Sequence, residues 1–290
     1  MKADNMSAFL FGIGSDMMSR IAMTSDNHFD VNRIDSQEML KQQAEYLVTQ
    51  QIDYYLIAGD LFNDFQKSMK YVHDLQTELE DATKVLFIAG NHDMLAGVSF
   101  EELESIQDDI YVHNKTIDVA GTNWTIIGNN GWYDYSFRPE KTDIDEIELW
   151  KRAYWVDRAI QQPMTDIERM QIVLLQTKQQ LELAAKRQRQ VLYFTHFSPK
   201  REYLINKPDI RMWSMANAMM GSYRLGDLLE KEQVDSVLFG HMHIHPAPRT
   251  YGQTTYYNQS VGYKNKHINE WLTEPFFNQW VERLQVIEKN

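Results

Sequence analysis

Five short segments of this 290-residue chain contain most of the side chains that could do chemistry. Each segment directly follows a short run of apolar, β-branched or aromatic residues. In chain order the segments are Asp26-Asn27-His28, Gly59-Asp60, Gly90-Asn91-His92-Asp93, Thr195-His196 and Gly240-His241-Met242-His243. Carboxylate, amide and imidazole groups bind hard and borderline metal ions, and the chain has no cysteine that could supply a thiolate. The segments together predict a site for two adjacent metal ions.

Asp60 is the residue expected to bridge the two ions. Its carboxylate has two oxygens, and the preceding Gly59 lets the backbone turn tightly at the end of a strand. Asp26 and His28 are two residues apart, so on an extended segment their side chains would point to the same side. With Asp60, they are expected to hold one ion.

The second ion is expected to take neutral ligands. Asn91 offers an amide oxygen and His196 an imidazole, neither of which adds negative charge. His241 and His243 alternate along the chain, so on an extended loop the two imidazoles could reach neighbouring ions. These residues complete a predicted set of seven ligands.

His92 remains unassigned after the ligands have been chosen. Held near the open face of the site, its imidazole could stabilise developing charge or protonate a leaving oxygen, a role that contributes about 10²- to 10⁴-fold in rate. The adjacent Asp93 is expected to orient it. His245 extends the alternation of histidines, but a role in the loop or behind the ligands is favoured.

The elements before residue 100 predict the framework that positions these groups. Buried strands are expected at 21–24, 54–58 and 84–89, with helices at 36–51 and 65–81 between them. This alternation predicts parallel strands with helical crossovers, in which ligands bind beyond the carboxyl ends of the strands. The first three metal-binding segments lie at those ends.

The later part of the chain predicts a second sheet. Short strands are expected at 110–113, 116–119, 124–127, 191–194 and 234–239, followed by strands of antiparallel pairing at 254–258 and 277–287. Residues 131–165 are expected to form a helical, aromatic-rich insertion near the site, and the residues after them a crossover helix. With no internal repeat or linker, residues 1–290 are predicted to be a single domain.

The motif order Asp-x-His, Gly-Asp, Gly-Asn-His-Asp, Thr-His and Gly-His-x-His resembles the calcineurin-like metallophosphoesterase superfamily over roughly residues 21–262. The resemblance implies an α/β fold of two facing mixed β-sheets flanked by helices, a four-layer α/β-β/α sandwich. It implies that a metal-bridging hydroxide attacks phosphorus in line. Two departures are Thr195 where many members have glycine, and residues 258–262 where many have Asn-Pro-Gly-Ser, so no catalytic role is transferred to Asn258.

The resemblance also implies how the ligands divide. One metal ion would be held by Asp26, His28, Asp60 and His243. The other would be held by Asp60, Asn91, His196 and His241. His92 matches the catalytic histidine of the superfamily. Manganese, iron or zinc would suit these mixed ligands.

Composition limits the expected partners. The 29 basic and 41 acidic residues give a net charge of −12, which disfavours extended nucleic-acid binding. No signal peptide and no membrane-spanning run is recognised, so a cytoplasmic location is expected. Residues 1–17 are either an N-terminal extension or precede a start at Met17 or Met18. The oligomeric state is left open.

The sequence therefore predicts a dinuclear phosphoesterase acting on phosphomonoesters or phosphodiesters, with a small molecule or nucleotide as substrate. Two alternatives are a nuclease acting on DNA or RNA ends, which needs a basic groove, and a catalytically silent metal-binding scaffold. Trp132, Tyr133 and Tyr135 either line the substrate site or pack, while Trp150, Tyr154 and Trp155 are expected to pack. Lys200 and Arg201 either contact phosphate or are solvated, and residues 212–220 form either an apolar lip or a packed helix.

Overall fold

The computed structural model describes residues 18–207 and 210–290. Its strands are β1 (Ser19–Thr24), β2 (Tyr54–Ala58), β3 (Lys84–Ile88), β4 (Lys115–Asp118), β5 (Trp124–Gly128), β6 (Gln190–Phe194), β7 (Ser236–Phe239), β8 (Arg249–Tyr251), β9 (Thr254–Asn258) and β10 (Gln285–Lys289). Its α-helices are α1 (Ser36–Thr49), α2 (Phe65–Leu79), α3 (Phe100–Ser105), α4 (Ile144–Tyr154), α5 (Asp166–Lys186), α6 (Arg211–Ala216), α7 (Tyr223–Lys231) and α8 (Phe276–Arg283).

The first sheet has the strand order β10-β1-β2-β3. Strands β1, β2 and β3 are parallel, and α1 and α2 connect them, as the alternation of elements predicted. Strand β10 closes the edge by pairing antiparallel with β1, with Ser19 opposite Lys289. Because helices cover one face of the sheet and a second sheet covers the other, the central strand β2 is buried along its whole length.

The second sheet has the order β4-β5-β6-β7-β9-β8 and is also mixed. Strands β5, β6, β7 and β9 are parallel, while β4 and β8 pair antiparallel at the two edges. Helix α5 is the long crossover between β5 and β6.

Side-chain alternation along the strands makes the two sheets face each other. In β1, Ile21 and Met23 point into an apolar layer shared with Ile126 and Leu238 of the second sheet. Ala22, between them, points to the opposite face, toward the helices. The predicted α/β fold of two facing mixed sheets flanked by helices is therefore confirmed.

The C-terminal prediction was wrong in part. Residues 277–287 were expected to form a strand, but α8 occupies Phe276–Arg283 and only Gln285–Lys289 is extended. The aromatic content favoured a strand, whereas Phe276 and Trp280 are both buried and lie four residues apart, the spacing of one helical face. The Trp280 indole also donates a hydrogen bond to the Tyr55 hydroxyl at 2.9 Å.

Two other strand predictions differ from the structure. Strand β9 pairs parallel with β7 and antiparallel only with β8, so the antiparallel expectation for 254–258 holds for one neighbour. Residues 110–113 form no strand; Tyr111 and His113 make isolated bridges to Phe87 and Gly128. These bridges join the first sheet to the second across a short loop.

The aromatic residues of the insertion mostly pack. Trp132, Tyr133 and Tyr135 are fully buried, and the rings of Trp132 and Tyr133 stack with centroids 4.7 Å apart. The Arg169 guanidinium of α5 lies 3.6 Å from the centroid of Trp132. Packing therefore explains these three aromatics better than contact with a substrate. The packing prediction was wrong for Tyr154, which is 73% exposed.

Two sequence predictions lie beyond what the fold tests. The N-terminal extension, residues 1–17, lies outside the described residues. The single-domain organisation stays a prediction. Within the described part of the chain, no helix combines the length and apolar character needed to cross a membrane.

Candidate metal centre

The five predicted segments meet at the carboxyl ends of parallel strands from both sheets. Asp26 follows β1, Asp60 follows β2 and Asn91 follows β3 in the first sheet. His196 follows β6 and His241 follows β7 in the second. Because the sheets face each other, these strand ends converge from two sides on one polar region.

The loops that carry the ligands have strained backbones. Asp26, His28, Asp60, His241 and His243 all have φ between 45° and 65°, in the left-handed region that disfavours residues with a Cβ. The prediction that the Asp26/His28 and His241/His243 pairs lie on extended segments was therefore wrong. The pairs still converge, because each loop turns sharply enough to bring its two side chains together.

Backbone contacts between the loops hold this conformation. The amide of Asp26 donates to the carbonyl of Gly59 at 3.0 Å, and that of His28 to the carbonyl of Asp60 at 2.9 Å. Gly59 has φ +84°, and a Cβ on it would collide with the backbone of Gly90. Five of the seven predicted ligands thus have this strained conformation, and such strain is common at functional sites.

One group of ligand atoms comprises Asp26, His28 and His243. The Nε2 atoms of His28 and His243 are 3.1 Å apart, and the latter is also 3.1 Å from Asp26 Oδ1. Two imidazole nitrogens and a carboxylate oxygen that converge so closely form a donor set that fits a borderline cation.

A second group comprises Asp60, His196 and His241. His196 Nε2 lies 3.3 Å from Asp60 Oδ2, 3.2 Å from His241 Nδ1 and 3.1 Å from Asn91 Oδ1. The same Oδ2 atom of Asp60 is 3.6 Å from His28 Nε2 of the first group. The donor sets therefore fit two neighbouring cations, with Asp60 between them.

Partners behind the ligands fix the orientation of two of the imidazole rings. His243 Nδ1 is 2.8 Å from Glu270 Oε2, and His196 Nδ1 is 2.8 Å from the carbonyl oxygen of Ala58. Such contacts determine which ring nitrogen faces the metal. Asn258 donates to the carbonyl of Gly240 at 3.1 Å, so it supports the loop before His241.

The electrostatics of the metal-free site follow from burial and from the close approach of opposite charges. Burial opposes ionisation of Asp26 and Asp60, yet the neighbouring His243 and His196 hold the pKa of each carboxyl well below its usual range. Burial would lower the pKa of His196, but the charge of Asp60 raises it to about 9. In the same way, Asp26 raises the pKa of His243 to about 10.

The other two imidazoles behave in the opposite way. Burial lowers the pKa of His28 to about 4. Burial and the charge of His196 lower the pKa of His241 to about 3. Each group of ligands therefore contains one imidazole whose raised pKa favours the charged form and one whose lowered pKa favours the neutral form.

His92 is held at both ring nitrogens. Its Nδ1 is 2.6 Å from Asn63 Oδ1, and its Nε2 is 2.9 Å from the hydroxyl of Tyr263. Its backbone amide donates to Asp60 Oδ1 at 2.8 Å. Its ring is 4.8 Å from that of His28, and His92 forms a further group of close donor atoms with His28 and Asp60, beside the first group of ligands.

The prediction that Asp93 orients His92 was wrong. The buried carboxylate of Asp93 accepts hydrogen bonds from the backbone amides of Asp60 at 2.6 Å, Leu61 at 3.1 Å and Gly90 at 2.8 Å. It also accepts one from the Ser68 hydroxyl. Asp93 therefore ties together the two loops that carry Asp60 and Asn91. The residue that contacts the ring of His92 is Asn63, not Asp93.

Sequence reasoning missed three residues of the site. Asn63 follows Asp60 by three residues, and this proximity to a ligand is the one signal that could have found it. Tyr263 places its ring 4.4 Å from those of both His28 and His243. Glu270 accepts from the backbone amide of Tyr263 at 2.7 Å as well as contacting His243.

Other candidate residues have other partners. Lys200 pairs with Glu230 at 2.7 Å, and Arg201 donates to the carbonyl of Ser136 at 2.6 Å, so neither is directed to the metal centre by these contacts. His245 belongs to neither ligand group among the described residues. Met215, Met219 and Met220 are buried, which favours packing for the methionine-rich segment.

The fold brings together neighbouring groups of side chains that could each hold a metal ion. The sequence pattern described as "Calcineurin-like phosphoesterase" matches residues 19–245. The chain belongs to this family, which depends on two metal ions.

One solved structure shows the same fold at low identity, and another is similar over most of its length. A phosphopantetheinyl hydrolase from Mycobacterium tuberculosis is 16% identical, with a TM-score of 0.61 over 94% of this chain and 96% of that chain. A dimetal phosphatase from Danio rerio is 14% identical, with a TM-score of 0.49 over 83% of this chain and 86% of that chain. No curated protein sequence matches the chain.

The contacts of Asp93 predict a structural defect in the Asp93→Asn variant. Its carboxamide can accept through only one oxygen and turns an NH₂ group toward backbone donors, so the free energy of unfolding should fall by about 2–4 kcal/mol. Urea denaturation measures this. Asp74→Asn, which alters an exposed ion pair with Lys70 on α2, should cost under about 0.5 kcal/mol. Equal midpoints for the two variants would contradict the assignment.

The raised pKa values of His196 and His243 predict that metal binding releases protons. At neutral pH both side chains are imidazolium cations in the metal-free chain, with a proton on each ring nitrogen. Each must lose the proton on the nitrogen that faces the site before that nitrogen can bind a metal cation. Binding should therefore release about two protons and strengthen as pH rises from about 7 to 9. Calorimetry in two buffers of different ionisation enthalpy measures the release, which His243→Gln should reduce. Identical heats in both buffers are incompatible with this prediction.

Proposed function

We propose that this protein is a dinuclear metal-dependent phosphoesterase that hydrolyses phosphomonoesters or phosphodiesters. The observation that carries the proposal is the pair of ligand groups on either side of Asp60, with His92 beside them. A shared carboxylate between two cation sites and a nearby imidazole that is not needed as a ligand suits the hydrolysis of a phosphate ester.

Seven residues would hold the ions. Asp26, His28 and His243 hold one, and Asn91, His196 and His241 hold the other, with Asp60 common to both. Manganese, iron or zinc suits this combination of oxygen and nitrogen ligands. When bound, two such ions supply Lewis acidity and an activated water molecule.

His92 is the residue proposed to assist the leaving group. The carbonyl oxygen of the Asn63 side chain accepts from Nδ1–H, which orients the ring and leaves Nε2 on the side of the Tyr263 hydroxyl. His92 is half-buried, whereas Asp60 beside it is buried, so the imidazole lies on the accessible side of the centre. A leaving oxygen placed there would be within reach of His92 Nε2.

A small molecule or nucleotide remains the proposed substrate, and the cytoplasm the proposed location. The net charge of −12 argues against an extended nucleic-acid partner and so against the nuclease alternative. The scaffold alternative is disfavoured because all seven ligands and His92 are present and lie together. We also propose that the protein does not contact a membrane. The oligomeric state stays open.

The proposal is tested with purified protein loaded with manganese. An aryl phosphate monoester, an aryl diester and single-stranded oligonucleotides form the substrate panel. A phosphopantetheinyl conjugate is added because the M. tuberculosis protein of similar fold is named as a phosphopantetheinyl hydrolase. At least one ester should be hydrolysed, and His92→Asn should lower kcat by about 10²- to 10⁴-fold while two metal ions stay bound.

His73→Asn is the matched control. His73 lies in α2, is half exposed and pairs with Asp108, and it belongs to none of the ligand groups. It should keep full activity. No hydrolysis of any ester by protein with two bound ions, or equal rates for His92→Asn and the unmodified chain, would sink the proposal. Cleavage of oligonucleotides alone, with a steep dependence on salt, would favour the nuclease instead.

Tyr263→Phe should lower kcat about tenfold, because it removes the hydroxyl that contacts His92 and a lost hydrogen bond of this kind is worth about 1.4 kcal/mol. The remaining ring still packs against His28 and His243, so metal content should not change. Tyr251→Phe on the edge strand β8 serves as the control and should be silent. Unchanged kcat in Tyr263→Phe, or loss of metal, would contradict a role for the hydroxyl.

A further inference from the structure

The amide of Asn91 has two ends with opposite abilities. Its Oδ1 atom can bind a cation, whereas its Nδ2 atom carries two protons and cannot. The two ends are nearly the same in shape, so packing alone does not choose between them. Something that distinguishes a donor from an acceptor must orient the side chain if Asn91 is to serve as a ligand.

A carboxylate from the insertion makes this distinction. Asn91 Nδ2 donates to Asp157 Oδ1 at 2.7 Å, while Asn91 Oδ1 lies 3.1 Å from His196 Nε2 in the second ligand group. Asp157 is 66 residues further along the chain, in the short 3₁₀ helix Val156–Ala159 that follows α4. Since a carboxylate oxygen accepts hydrogen bonds, it selects the NH₂ end of the amide.

Asp157 is itself held firmly. Its side chain is buried, with 1% of the residue exposed. The second oxygen, Oδ2, accepts a hydrogen bond from the indole nitrogen of Trp155 at 3.0 Å. An indole N–H can only donate, so both oxygens of Asp157 face donors and the carboxylate has a fixed position.

We propose that Asp157 is a positioning residue for the second metal ion, acting by holding the Asn91 amide with its oxygen toward that ion. The proposal rests on the proposed two-metal function and extends it. The insertion then contributes to the metal centre indirectly, because Asp157 contacts the ligand Asn91 and not the metal ion. Docking of the insertion and binding of the second ion are coupled through the contact between Asp157 and Asn91.

A matched carboxylate without this contact lies directly after the insertion. Asp166, at the start of α5, is also buried and accepts from Trp132 Nε1 at 2.8 Å and Lys151 Nζ at 2.6 Å. Its hydrogen bonds tie the insertion together and reach no residue of the ligand groups. Asp166→Asn therefore tests what the loss of a buried carboxylate in this part of the chain does by itself.

The experiment is a calorimetric titration of metal-free full-length protein with Mn²⁺, supported by metal counting after dialysis. The unmodified chain should bind two ions. Asp157→Asn is nearly isosteric but can donate toward Asn91 and so lets the amide turn, which should weaken one site about 10- to 100-fold and leave the other unchanged. Asn91→Ala should weaken the same site, and the double variant should be no worse than Asn91→Ala alone.

Asp166→Asn should lower thermal stability but keep both manganese affinities. If Asp157→Asn fails to fold, Trp155→Phe removes the indole donor to Asp157 but keeps an aromatic ring beside Trp150, and it should weaken the same site about threefold, an effect smaller than that of Asp157→Asn. Unchanged affinities in the folded variants, equal loss in Asp166→Asn, or fewer than two ions on the unmodified chain would each overturn the proposal. If two ions bind with the expected pattern but no ester is hydrolysed, the proposed function is contradicted while the proposal for Asp157 stands.

Discussion

The position of one carboxylate, Asp60, determines how the rest of the molecule must be arranged. A single oxygen of this residue lies 3.6 Å from His28 Nε2 of the first sheet and 3.3 Å from His196 Nε2 of the second. Such proximity requires the two sheets to pack face to face with the carboxyl ends of their parallel strands at one edge. The apolar layer between the sheets therefore sets the distance between the two ligand groups.

The second constraint is the backbone that presents the ligands. Left-handed conformations at residues with a Cβ cost of order 1 kcal/mol each, so they persist only where surrounding contacts favour them. Asp93 supplies several of those contacts by accepting backbone amides from the loops after β2 and β3. It was expected to orient His92, and it instead fixes the loops that carry Asp60 and Asn91.

The sequence was sufficient for features encoded locally. Strand β2 was predicted with its observed bounds because five buried apolar residues lead directly to Gly59, and the ligands were recognised because each follows such a strand. The partners of those ligands were not predictable. Tyr263 contacts His92 across 171 residues and Asp157 contacts Asn91 across 66, and no spacing or periodicity relates such pairs. Only the packing of the folded chain brings them together.

Burial indicates the side from which a substrate reaches the metals. Asp26, His28, Asp60, Asn91 and His196 are at most 1% exposed, whereas His92, His241 and His243 are half-buried. Trp132 and Tyr133 are fully buried and so do not line this opening, and the contact of the insertion with a ligand is the one between Asp157 and Asn91. An ester of the proposed reaction would then approach over the three half-buried imidazoles, where Tyr263 contacts His92. In the proposed function, recognition of the group attached to phosphate would fall to residues around that opening, among them Tyr263, whose ring contacts those of His92 and His243.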